Sequence, residues 1–279
     1  MSQKFIVFPW RFKLSVNKLI QSSLIVLSPI GLLFGLGNVE AQAAQISIVN
    51  HSFEDTSGMQ VFNEFTFGSL PGWNVYDPNN ITGLNDVFPG TLQPDGSTFF
   101  NDFAPDGDRV AILFNRDNTA GLGEYGFEQT LADTLQANRS YTLQVEVGNI
   151  TSGTADDGQF FNLDGFPGYR VDLLAGGQVI ASDNNTLAGS IPEGEFATST
   201  INFVTGNNPV LLNQQLGIRL VNLNVADNST PDASAADIEI DFDNVRLDSQ
   251  AVPEPATILG TLTATGISLL LKRKKSRVR

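Results

Sequence analysis

The chain has no cysteine and a single histidine, His51. Without cysteine there is no disulfide to staple the fold and no thiolate to bind zinc or attack a substrate. With one histidine, and with neither a Gly-x-Ser-x-Gly nor a His-Glu-x-x-His segment, the common serine- and zinc-hydrolase constellations lack their residues. Lysine is missing from the whole of residues 44–251, where six arginines stand against 28 acidic side chains, a net charge of −22. Such a surface repels phosphate backbones and anionic headgroups, which argues against nucleic acid as a partner and against membrane binding by this part of the chain. It suits divalent cations, and equally a solubilising acidic coat.

What is present at the two ends differs in kind from the middle. Lys4, Arg11, Lys13 and Lys18 precede the apolar run "LIQSSLIVLSPIGLLFGLG", which is followed by "AQAAQ". Small residues at Ala41 and Ala43 suit a signal peptidase, so residues 1–43 read as a secretory signal helix. An uncleaved anchor is the alternative, and Pro29 with glycines 31, 35 and 37 favours cleavage. At the other end, Ile258–Leu271 is free of charge. At ~1.5 Å per residue it covers roughly 21 Å, short of a ~30 Å hydrocarbon core. The stems of Lys272, Arg273, Lys274 and Lys275 extend its reach, and a basic cluster here keeps the tail cytoplasmic and the body outside. The expectation is a transmembrane helix over 256–271 with a basic tail over 272–279.

Between these flanks, residues 44–250 are long enough to bury a core without staples. "YTLQVEVGNI" puts Tyr141, Leu143, Val145 and Val147 on one face and Thr142, Gln144 and Glu146 on the other, the period of a half-buried strand. "RVAILF", "YRVDLL", "QVIASD", "ATSTINFV" and "LGIRLVNLN" behave alike, divided by Gly, Asn, Asp and Pro clusters. "LAGG" between two of them reads as a hairpin turn. Nine or ten such strands imply an all-β fold, an antiparallel β-sandwich. In "ADIEIDFDNVRLDS" the apolar positions change from Ile238, Ile240 and Phe242 to Val245 and Leu247, which requires a β-bulge at Asp243–Asn244.

Two resemblances follow from quoted segments. "VPEPAT" (252–257), with Pro253, Glu254 and Pro255 ahead of an apolar helix and a basic end, resembles the PEP-CTERM sorting signal of exported bacterial proteins, over residues 251–279. It implies processing by an exosortase after signal peptidase, transient anchoring in the inner membrane, and final location at the cell surface or outside the cell. "IVNHSFED", "LPGWNVYD", "YTLQVEVG" and "IDFDNVRL" are similar to galactose-binding-like jelly rolls of carbohydrate-binding modules. That resemblance implies one structural calcium ion near the paired ends of the chain, held by Glu54 and Asp243, with Asp55 and Asp241 as the alternative neighbours.

On this footing the expected function is non-catalytic: binding of an extracellular polysaccharide. Trp73, Phe99, Phe100, Phe103, Tyr125, Phe160 and Phe161 are the candidate sugar platforms, although Trp73 at "PGW" and each loop aromatic alone could equally serve the core. A purely structural or adhesive matrix protein is the second reading. A glycoside hydrolase built on paired carboxylates is the third.

Overall fold

A computed structural model describes residues 43–252 apart from 85, 117–119, 229–230 and 232–235. Ala41 and nearly all of the expected signal segment, Pro253, Glu254, Pro255 and the terminal apolar segment lie outside the described residues. Among the described residues no helix is long and apolar enough to cross a membrane.

The strands in chain order are β1 (Ala44–Ile46), β2 (Gln60–Phe62), β3 (Phe65–Phe67), β4 (Asn74–Tyr76), β5 (Val87–Leu92), β6 (Val110–Asn115), β7 (Tyr125–Thr134), β8 (Arg139–Asn149), β9 (Gly153–Thr154), β10 (Phe160–Phe161), β11 (Tyr169–Ala175), β12 (Gln178–Asn184), β13 (Glu195–Val204), β14 (Gln215–Asn222) and β15 (Ile238–Ala251). Six of the fifteen have only two or three residues, too short to display a period, which accounts for the excess over the sequence count. One antiparallel sheet runs β13-β8-β15-β6-β5-β3-β2, with β1 added beside β15; a second runs β12-β11-β14-β7-β4, and β9 and β10 pair as a separate two-stranded sheet. The β-sandwich expected from the alternating segments is thus present.

The face carrying Tyr141, Leu143, Val145 and Val147 is buried against the second sheet, as are Ile240, Phe242, Val245 and Leu247 of β15. The face change in β15 occurs where predicted: register with β8 slips between Asp243 and Arg246, and Asn244 takes up the extra residue at φ 50°. Asparagine tolerates this left-handed conformation better than any residue but glycine. "LAGG" forms the β11–β12 turn, with Gly176 and Gly177 at φ 57° and 76°, the pair of positive angles that a two-residue hairpin turn demands.

A second, smaller core lies on the opposite face of the large sheet. Leu92, Val110, Ile112 and Phe114 project there and are covered by Phe99, Phe100, Ile150 and Leu163. β6 is therefore buried on both faces, which is why "VAILF" is apolar without interruption. This covered outer face, and not the space between the sheets, carries the candidate functional site.

Candidate active site

The second face of β15 carries Glu239 and Asp241, which on an open sheet would meet water. Here the covering segments leave Glu239 4% exposed and Asp241 fully buried. Register sets Glu239 across from Phe114 and Asp241 across from Ile112 on β6, with Gly148 of β8 on the far side of Asp241. A Cβ at Gly148 would come within 2.9 Å of the Asp241 Cβ and 2.7 Å of Phe196, so glycine is what admits the acid beneath the stacked Phe100 and Phe196 rings.

Neither carboxylate oxygen of Asp241, nor Oε1 of Glu239, finds a protein donor. With no donor there to stabilise a carboxylate, burial favours the protonated form of both side chains. Burial pushes Glu239 up to about 8, with the neighbouring Asp241 carboxyl partly offsetting it and the charge of Asp237 adding to it. Burial, then the charge of Glu239, drives Asp241 well above the carboxylate range. Both shifts favour the protonated form of this buried pair.

Glu239 also lines a cavity of about 300 Å³ whose walls are phenylalanine. Phe65, Phe67, Phe88, Phe114 and Phe161 form a connected set with ring centroids 5.8 to 6.1 Å apart. Gln60, Asn63, Arg116, Asp157 and Gln159 supply polar groups to the lining. An apolar chamber with one neutral carboxylic acid can hold a flat apolar molecule and hand it a proton.

Of the residues singled out in the sequence as sugar platforms, only Phe161 belongs to this chamber. Trp73 is 5% exposed, packs against Phe53 and donates Nε1–H to the Asn50 carbonyl at 3.1 Å; it is core. Tyr125 is buried between the sheets with its hydroxyl on the Phe114 carbonyl. Phe99 and Phe100 lie in the second core. Phe103 and Phe160 are exposed, the former beside a polar hollow with Asp95, Asp108 and Asp156. They form no common platform.

The expected calcium pair is brought together by the loop "PDGDR". Asp106 N–H donates to Asp243 Oδ2 at 2.7 Å, and Asp108 and Arg109 N–H donate to Glu54 Oε1, both at 2.8 Å. The loop closes so tightly that a Cβ at Gly107 would lie 2.4 Å from Glu54 Oε1. Burial raises Asp243 to about 8, N–H groups of Asp106 and Asn244 offset part of this, and the charges of Asp106 and Glu54 add to it. Among the described residues no cluster of three or more His, Cys, Asp or Glu side chains could hold a metal, so an ion here would need backbone carbonyls as well. Asp55 instead caps its own turn at Ser57 N–H, and Asp241 faces Glu239; neither joins the pair.

These features define a protein with an acid-bearing apolar chamber on a sandwich face. The family model for the HpiC1-like group, described as HpiC1 cyclase, matches residues 44–248, and the chain belongs to that family. A solved cyclase from Fischerella sp. TAU is 36% identical, with 76% of this chain and 100% of that chain covered at a TM-score of 0.64. The Stig cyclase Fisc from the same organism, in complex with (3Z)-3-(1-methyl-2-pyrrolidinylidene)-3H-indole, gives 36%, the same coverages and 0.63. A Fischerella sp. TAU cyclase in complex with 4-(1H-indol-3-yl)butan-2-one gives 36%, the same coverages and 0.64. No curated protein matches.

The family overturns the expectation of a non-catalytic, polysaccharide-binding matrix protein. The sugar-binding modules that share the sandwich align remotely: a xylan-binding domain from Paenibacillus barcinonensis reaches 12% identity and a TM-score of 0.37, which carries nothing about ligand. The PEP-CTERM resemblance of residues 251–279 gains no support either, since the family match stops at 248.

Proposed function

We propose that this protein is a cyclase that closes a ring within an indole-bearing, largely apolar substrate, with Glu239 as the proton donor. The observation that carries the reading is a buried carboxyl, raised by burial, lining a chamber of phenylalanines, in a family of cyclases of which two solved members hold indole compounds. Glu239 delivers its proton to one carbon of a carbon–carbon double bond, whose π electrons form the new C–H bond. The cation left on the neighbouring carbon is attacked by a second π system of the same molecule, forming the ring bond. Loss of a proton from the product cation to the Glu239 carboxylate restores the acid, so the product is an isomer of the substrate. The phenylalanine walls exclude water, which would otherwise trap the cation, and their ring faces favour positive charge. Asp241, behind Glu239, keeps the pair charged with a proton.

Calcium, which the body's resemblance implies, would be held by Glu54 and Asp243 with carbonyls of the 105–109 loop. It would tie the start of the body to its last strand and take no part in the chemistry. The expected signal segment ends at Ala43 and the family match begins at 44, so the cyclase body is read as the mature, exported part.

The test is turnover of indole substrates that carry an alkene side chain, followed by chromatography and mass spectrometry. The wild-type protein should yield a cyclised product of unchanged mass, and Glu239→Gln should yield it at least about 100-fold more slowly, the usual weight of a general acid. Equal rates for the two would remove Glu239 from the chemistry.

A further inference from the structure

Two hairpins meet at the chamber. Phe62, Asn63 and Phe65 line it from β2–β3, and Ala155, Asp157 and Phe161 line it from β9–β10. The first hairpin ends the large sheet and is held there by the pairing of β3 with β5. The second joins neither large sheet: each of its strands has two residues and pairs with the other alone. A two-stranded hairpin by itself is marginally stable in water, so what it leans on decides where it sits.

The base of β9–β10 is fixed. Ser152 Oγ accepts the Leu163 N–H at 2.9 Å and so joins the two legs. Thr151 N–H donates to the Phe99 carbonyl at 3.1 Å, and the Asn162 carbonyl accepts the Asp237 N–H at 2.8 Å. The tip is held far less. Residues 156–160 are exposed, the turn closes on itself through Gly158 N–H to the Ala155 carbonyl at 2.8 Å, and a Cβ at Gly158 would meet nothing within 4 Å. Among the described residues, the hydrogen bond from residues 153–161 to the rest of the protein is that of Asp156 N–H to the Glu64 carboxylate, 3.1 Å to Oε1. Glu64 projects from a fixed backbone, since its carbonyl accepts the Gln93 N–H at 2.9 Å. Swinging the tip away breaks that one bond and bares mainly Ala155, the buried apolar residue of the tip. Phe161, nearer the base, keeps its packing on Phe99 and Phe114.

The proposed reaction calls for a part that moves. Its cation must be kept from water, yet the substrate has to reach an acid that is 4% exposed. We propose that the β9–β10 hairpin is a flap over the chamber, swinging on the clamp at Ser152 and Asn162 and latched against the β2–β3 hairpin by the Glu64 carboxylate. The inference rests on the chamber being the active site.

The chain has no cysteine, so Glu64→Cys with Asp156→Cys gives two unique thiols at the latch, which a short bis-maleimide ties together. The probe is 4-(1H-indol-3-yl)butan-2-one, its association and release followed by stopped-flow fluorescence on the full chain. Cross-linking before the probe is added should slow association at least about tenfold, and cross-linking afterwards should slow release as much, because a tied flap neither admits nor frees it. In the cysteine-free protein, Glu64→Ala should speed association and release together, each roughly two- to tenfold, the weight of a charge-assisted hydrogen bond at an exposed site, and leave Kd within about twofold. A change in Kd with association unaltered would make Glu64 a ligand contact and not a latch. If the probe binds and the cross-link alters neither rate, the flap falls and the chamber stands. If the probe does not bind, or Phe114→Ala leaves its affinity unchanged, the chamber is not the site and the flap falls with it.

Discussion

Replacing Glu239 by glutamine isolates the cost of burying an acid in the chamber. The carboxyl is raised from an ordinary value of 4.5 to about 8. The sign follows from proton uptake: the folded state holds the proton over a range where the unfolded chain has lost it, so stability is full below pH 4.5 and declines as pH rises through 8. At ~1.36 kcal/mol per unit, the loss between pH 5 and pH 9 is about 4 kcal/mol. That is a large share of the roughly 5–15 kcal/mol by which domains are stable. Glutamine has no proton to lose. Urea unfolding at pH 5 and pH 9 should therefore show the stability difference between Glu239→Gln and wild type moving by about 4 kcal/mol in favour of the variant at the higher pH. Urea is the denaturant of choice because it adds no salt. A difference that stays within ~1 kcal/mol across the two pH values would mean that Glu239 titrates as a solvated acid, and the buried acid pair would not exist.

Other expectations concern the supports of the site. Gly148→Ala should cost roughly 1–3 kcal/mol through the clash with Asp241 and Phe196, read as a lower melting temperature. Asn244→Ala should lose about 1–2 kcal/mol at its positive φ, while Asn244→Gly stays within a few tenths; equal losses would deny the bulge geometry. A calcium chelator should lower the melting temperature of the wild type and have no effect on Asp243→Asn; a chelator without effect on the wild type would dispose of the ion. Mass spectrometry of the exported form should find the mature amino terminus at Ala44, and an intact residue 1–43 segment would contradict cleavage.

The sandwich was legible because its strands obey a period of two and its turns use residues with specific backbone freedom. The bulge at Asp243–Asn244 was legible for the same reason: apolar positions cannot change parity without it. The site was hidden by that very rule. Glu239, Asp241 and Asp243 alternate with Ile238, Ile240 and Phe242, and alternation assigns the acids to solvent. Only the covering segments around Phe99, Phe100 and Leu163, distant in sequence, turn that face into an interior. One local signal was available. "VAILF" is apolar on both faces, and a strand of that kind needs cover on both sides. Neighbouring acids on such a sheet are then candidates for burial. Glu54 and Asp243 were found by resemblance, and the structure does bring them to one loop. Trp73 and Tyr125 were misplaced as platforms because loop-like sequence around an aromatic residue does not show whether it points outward.

The most direct test of the account is a crystal structure with 4-(1H-indol-3-yl)butan-2-one bound. The indole should lie among Phe65, Phe88, Phe114 and Phe161 with an atom of the ligand in contact with the Glu239 carboxyl. A ligand seated elsewhere on the sandwich, with the phenylalanine chamber bypassed, would contradict it.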